Sequence, residues 1–292
     1  MSSSHDHMAD YVAKASDVHG QLLLLMFLSA ITGLGKGGVP GFATIATALV
    51  VATAPEDVPG GLGYSVSLMV PILSMIDIYA AWLHKEKLDW QTVRLLLPIS
   101  FIGMALGQIL DQYMSDRSAR ILVGSILMSI LILRTGTSIM SGLSRFLPDK
   151  LVKDRNKNMQ LPLSSAKSIP SKQNSVIYAW VVGIIGGIAT MLTNSMGPIV
   201  NVYLLSVRKL SPESYIGTRA CFFCFVNVGK LPMRFAAGTL GWSMMPLATC
   251  LGMIAVVGVY FAKPIMLTFS EEMFVKLELW VVALAGLKLL FF

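Results

Sequence analysis

Charge is the scarcest ingredient of this sequence. Only 13% of its 292 residues are Asp, Glu, Lys or Arg, whereas a soluble domain carries about 25%. The shortage extends along nearly the whole chain, so it marks many apolar spans rather than one anchor. Cysteine is equally rare: Cys221, Cys224 and Cys250 are the complete set, which excludes a disulfide framework. Cys221 and Cys224 form a C-x-x-C, but they lie in an apolar stretch without a neighbouring histidine. Buried packing is expected of them, not metal or redox chemistry. His5, Asp6 and His7 sit together only in a Ser-rich leader, and no metal or cofactor is expected. The serine-hydrolase elbow, the Walker sequence and the H-E-x-x-H pair are all missing. Gly33-Leu34-Gly35-Lys36-Gly37-Gly38 lacks the Gly-Lys-Ser/Thr of a phosphate loop, so no enzyme is expected. The formal charge of +7 does not point to nucleic acid, because most of the excess sits in one loop.

Hydrophobic residues make up 54% of the chain, with 25 glycines and 18 methionines, and the mean hydropathy is +0.68. The chain reads as an all-α polytopic membrane protein embedded in a lipid bilayer. Residues 1–20 form a polar leader without the basic region and cleavage site of a signal peptide. Residues 21–140 form a first transmembrane repeat and 176–292 a second. Between them lies a basic loop, 141–175, which holds Arg145, Lys150, Lys153, Arg155, Lys157, Lys167 and Lys172.

Each repeat has the same order. A short apolar piece (21–31) breaks at Thr32–Gly41, a second short piece follows (42–54), and three long stretches come after it (62–82, 90–110 and 119–140). The second repeat has short pieces at 177–191 and 199–207 around a break at Leu192–Pro198, then stretches at 215–237, 242–260 and 274–292. The short pieces, about 11–17 residues, fall below the ~30 Å hydrocarbon core. A re-entrant hairpin is the preferred reading and an interrupted span the alternative. Landmarks such as Pro55 and Pro212, or Gly60 and Gly217, recur at an offset of about 157 residues.

Charge then sets orientation. The basic loop should be cytoplasmic. That places His84–Lys87 and Arg208 inside, and the uncharged Gly238–Gly241, which corresponds to His84–Lys87, outside. Matching loops of opposite charge character indicate inverted repeats.

Paired breaks in corresponding positions are the best sequence pointer to a transport site. Helix ends inside the membrane leave backbone N–H groups free and carry partial positive charge. Pro40 and Pro198 suit first helical turns, and Gly37, Gly38 and Gly197 permit close approach. Lys36, Asn194 and Ser195 lie in the breaks. Arg219, Asn227 and Lys230 lie in the following span, where a charge is costly and therefore a functional candidate. These residues form the expected substrate-binding set for a small anion. Asp77, the one acid well inside a first-repeat span, is expected to couple transport to protons or to act as a counter-ion. Arg234 lies near a span end, within reach of the interface.

Four segments, 33–50 (GLGKGGVPGFATIATALV), 77–91 (DIYAAWLHKEKLDWQ), 186–205 (GGIATMLTNSMGPIVNVYLL) and 217–232 (GTRACFFCFVNVGKLP), together resemble the TauE/SafE family of membrane transporters. The resemblance covers roughly 21–292, apart from the basic loop. It implies a transporter with two homologous halves in the cytoplasmic membrane, and a sulfur-containing oxyanion or organosulfonate as substrate. The family's glycine-rich break matches Gly35, Gly37, Gly38 and Pro40. The second break departs from it with Thr193-Asn194-Ser195, which favours side-chain donors there. The expectation is therefore a secondary transporter of small anions. An uncoupled anion channel or uniporter and a carboxylate transporter are the alternatives, with a non-transporting membrane protein further off. A homodimer is compatible with the G-x-x-x-G at Gly103 and Gly107.

Overall fold

In the computed structural model, the residues described are 19–39, 42–52, 61–143, 172–208 and 210–266, with scattered helical positions after 272. The leader, Pro40, most of the basic loop and most of the last apolar stretch lie outside them.

All regular elements among the described residues are helical. The chain forms α1 (His19–Lys36), α2 (Phe42–Ala52), α3 (Gly61–Leu83), α4 (Trp90–Tyr113), α5 (Asp116–Leu143), α6 (Lys172–Thr193), α7 (Met196–Val202), α8 (Pro212–Ala236) and α9 (Met245–Met266). Short 3-10 turns at Lys85–Lys87 and Trp242–Met244 precede α4 and α9, and a π-helical turn at Tyr203–Val207 extends α7. Among the described residues, four segments are long and apolar enough to cross a bilayer: Gly61–Leu83, Trp90–Tyr113, Val176–Thr193 and Trp242–Ala262. Leu23, Phe27, Ile102, Ile109, Trp180, Val257 and Phe261 are exposed on the outside of the bundle, as a lipid-facing surface requires. The protein is a multi-pass membrane protein.

Both chain breaks are tighter than the composition suggested. α1 continues through Thr32 and Gly35 to Lys36, so the first break is confined to the residues after Lys36. Gly35 stays helical because it packs directly on the Ala43 backbone of α2. Gly38 turns the chain with φ 124°, a conformation open to glycine alone without strain. α6 continues to Thr193, so only Asn194 and Ser195 interrupt the second half. α6 is thus a full-length span rather than the short piece expected. α2 folds back against α1 and α7 against α6, with Met196 returning to within 2.9 Å of the place a Cβ on Gly186 would occupy.

Packing exchanges partners between the halves. α1 lies against α9, α6 lies against α4, and α3 pairs with α8 at the centre. Backbone contact drives the two outer pairs. A Cβ on Gly187 would stand 2.5 Å from the Ser100 carbonyl oxygen and 2.6 Å from the Met104 nitrogen. A Cβ on Gly258 would stand 2.5 Å from the Ala30 carbonyl oxygen, and Gly33 presses on Ala255. Without a hydrophobic drive between helices in lipid, such small-residue seams supply the association by close packing. The apolar core divides accordingly. One cluster includes Leu28, Leu68, Ile72, Leu251 and Val259. Another includes Leu96, Met104, Met191, Tyr203 and Phe222.

Candidate functional site

α8 is the most polar of the central helices, and its polarity is one-sided. Phe225 and Val228 are exposed at 44% and 41%, whereas Asn227 (2%), Lys230 (0%) and Arg234 (0%) are buried. Residues three and four apart share a helix face, so Phe223, Asn227, Lys230 and Arg234 form one stripe. This stripe meets the ends of both broken helices and the polar face of α3.

Three groups of contacts follow it. At the first, the Lys36 ammonium at the end of α1 lies 2.9 and 3.0 Å from the two oxygens of Asp77 on α3. Asn227 Nδ2 donates to Asp77 Oδ2 at 2.5 Å, and the Phe223 ring lies 4.2 Å beneath the ammonium. Asp77 is 1% exposed; a carboxylate so placed is tolerated only when paired and hydrogen-bonded. Midway along the stripe, Lys230 Nζ donates to Asn194 Oδ1 and, at 3.2 Å, to Thr190 Oγ1. Both acceptors are neutral, and among the described residues no carboxylate reaches Lys230. At the third, Arg234 pairs with Asp111 of α4 at 2.8 Å and donates to the Met191 carbonyl. Met191 lies in the last turn of α6, where carbonyls lack helical partners and the dipole favours a cation.

Asn194 ties the second break in place. Its φ of 56° lies in the left-handed region that asparagine tolerates better than most residues. Its Nδ2 donates to the Val66 carbonyl of α3 at 3.0 Å while its Oδ1 accepts from Lys230. Ser195 does not join the cluster through its hydroxyl, which accepts from Thr193 Oγ1 at 2.8 Å and donates to the Thr193 carbonyl at 3.3 Å.

The candidate residues thus fall into several places. Lys36, Asp77 and Asn227 form one unit, and Lys230 and Asn194 another, one helical turn away. Gly37 faces α9, where a Cβ would stand 2.9 Å from the Val259 carbonyl; it is a packing residue. Gly38 shapes the turn. A Cβ on Gly197 would meet nothing within 4 Å, and Pro198 is buried in the first turn of α7. Pro40 lies outside the described residues. Arg219 lies one turn before Phe223 on the same stripe, its guanidinium over the Tyr215 ring at 5.9 Å, and its charge acts on Lys36. Arg234 is enclosed rather than interfacial. Thr190, Asp111 and Phe223 were not anticipated.

A second polar node lies at the helix ends. The Asp89 carboxylate caps α4 through the Gln91 and Thr92 backbone N–H groups and accepts from Thr92 Oγ1 at 2.6 Å. Arg208, just after the π-turn, reaches it at 2.8 Å. Thr218 of α8 accepts from the Asp89 N–H at 2.8 Å. Burial opposes ionisation of Asp89, but the hydrogen bonds from Thr92 and Arg208 outweigh it and hold the carboxyl below its ordinary range.

A bundle with an apolar exterior, its ion pairs gathered inside, and two chain breaks ending beside those ions has the construction of a membrane transporter. The chain belongs to the sulfite exporter TauE/SafE family, whose model matches residues 22–289; proteins of this family are membrane transporters. Neither a curated protein nor a solved structure matches the chain.

Proposed function

We propose that this protein is a secondary transporter of small anions, with a sulfur-containing oxyanion or organosulfonate as substrate. One observation carries the proposal. Lys230 is fully buried, and among the described residues it holds only the neutral oxygens of Asn194 and Thr190. A buried ammonium without a counter-ion costs several kcal/mol even after relaxation, and an arriving anion removes that cost. The family match supports the sulfur chemistry.

In this reading the anion approaches Lys230 from the side not occupied by the two oxygens. Lys36 lies one turn along the stripe, held by Asp77. Protonation of Asp77 loosens its hold on Lys36 and lets the second ammonium turn toward the substrate, which couples the anion to a proton. The halves are inverted repeats that move past each other. Their exchanged packing supports this, because the seam residues correspond: Gly187 follows Gly33 at an offset of 154, and Gly258 follows Gly103 at 155. The membrane is the cytoplasmic one, with the basic central loop inside.

The test is flux into proteoliposomes loaded and challenged with sulfite. Lys230→Met should abolish saturable uptake while the purified variant still elutes as a folded species. Uptake at the unmodified rate in Lys230→Met would place the site elsewhere.

A further inference from the structure

Arg219 begins the charged part of the stripe on α8. Steps of three and four residues lead from it through Phe223 and Asn227 to Lys230, about 16 Å along the helix. Its depth is set by its neighbour: Thr218 accepts from the Asp89 N–H, where α4 begins. Arg219 therefore lies at the level of the helix ends, and Lys230 lies deep in the bundle. Of residues 215–220 only Arg219 is not buried, so the stripe is open to water at this end. The guanidinium is nevertheless incompletely satisfied. Its Nε is enclosed without a hydrogen-bond acceptor, and among the described residues no carboxylate pairs with it. The next charge along the stripe is a second cation. Lys36 lies 4.2 Å from the centre of the Phe223 ring, near enough that the charge of Arg219 acts on it. Asp77 is already engaged by Lys36 and Asn227. Like charges repel more strongly in a low-dielectric interior than in water, and an anion between Arg219 and Lys36 offsets that repulsion.

We infer that Arg219 is a second anion-binding station, at the mouth of the pathway, which takes an oxyanion from water and passes it along the stripe past Lys36 to Lys230. This rests on the anion-transport reading above. The ligand is an anion with two or more oxygens on one atom, as in sulfite or a sulfonate head. A guanidinium presents its N–H groups as a planar fork that two such oxygens meet at once, and the unpartnered Nε is one tooth of it. Lysine offers only a point charge. Stations in series hold an anion strongly enough to admit it and weakly enough to release it, as rings of Arg or Lys do in anion pores. A lipid phosphate carries the same oxygens, and the experiment separates the two sources.

The experiment titrates sulfite against the purified protein in an uncharged detergent and reads the melting temperature, since a ligand of the folded state stabilises by mass action. Lys230→Met lacks the deep site and should still be stabilised by sulfite. Lys230→Met/Arg219→Gln should lose that response. In proteoliposomes, Arg219→Gln should raise the half-saturating sulfite concentration by about tenfold with little change in the maximal rate. Arg219→Lys, which keeps the charge but not the fork, should fall between; a merely structural role would not produce that order. No stabilisation of Lys230→Met by sulfite, where the unmodified protein shows it, overturns the inference and leaves anion transport standing. So does stabilisation that survives in the double variant. A response of Lys230→Met to added phosphatidylglycerol but not to sulfite, lost with Arg219→Gln, marks a lipid anchor and overturns it too. If Lys230→Met does not fold, the flux of Arg219→Gln decides, and an unchanged half-saturating concentration overturns the inference. Neither binding nor flux of sulfite in the unmodified protein overturns the transport reading itself.

Discussion

Replacing Gly187 by alanine tests the architecture that brings the polar stripe together. The new Cβ would stand 2.5 Å from the Ser100 oxygen, 2.6 Å from the Met104 nitrogen and 2.7 Å from the Gly103 carbonyl carbon. All three are backbone atoms of α4, so no side chain can swing away. Ordinary contact begins near 3.4 Å, so α4 and α6 must separate by about 0.9 Å. Overpacking of this kind costs about 1–3 kcal/mol, and separation also thins the most extensive helix pair in the bundle. Alanine returns about 0.5–1 kcal/mol through its helix preference. The net expectation is a loss of about 1 kcal/mol, or a melting temperature lower by about 2–4 °C. Gly197→Ala is the matched control, since its Cβ meets nothing within 4 Å and only the helix preference remains. Thermal unfolding followed by size-exclusion chromatography in detergent reads both. A Gly187→Ala protein that melts with the unmodified one would refute the close approach of α4 and α6.

Acid should act through Asp89. Its carboxyl titrates lower in the folded protein than the ~3.9 of an unfolded chain, so the unfolded state binds the proton first. The stabilisation is present above that value and is lost as pH falls through the folded one. Asp89→Asn keeps a residue able to cap α4 but removes the negative charge that pairs with Arg208. It should flatten the fall in melting temperature on acidification, and an unchanged acid profile would count against the pair. Arg234→Met should be among the most damaging single changes, costing about 3–5 kcal/mol because it strands the Asp111 carboxylate. Asp111→Asn should cost less, since Arg234 keeps the Met191 carbonyl. Equal melting temperatures for the two variants would show that water reaches the pair.

Much of this was legible beforehand. The sparse charge and repeated apolar stretches identify a helical membrane protein, and the stretches at 62–82 and 90–110 coincide with α3 and α4 within a few residues. Lys230 and Asp77 stand out because a charge far from both ends of an apolar stretch has no ready route to water. Asp111 did not stand out, because it ends its stretch and looks solvated; its partner Arg234 is 123 residues away, beyond any periodic pattern. The breaks are narrower than their composition implies for a related reason. Thr32 and Gly35 are weak helix formers, but Thr32 bonds back to the Leu28 carbonyl at 2.7 Å and Gly35 is pinned by α2. Tertiary packing therefore carries the helix through residues whose intrinsic preference would end it. The pairing of Asp77 with Lys36 rather than Lys230 depends on where α1 ends, which packing decides.

The exchange of partners between the halves bears on how the protein is made. α1 emerges from the ribosome first, yet the surface that covers Gly33 and Gly37 belongs to α9, more than two hundred residues later in synthesis. Until then its groove can be occupied only by lipid or by another membrane protein. A chain cut in the central loop gives two fragments, each with one such groove open. Neither fragment can close its own, so each needs its complement to assemble, and synthesis of one half alone should be followed by its degradation.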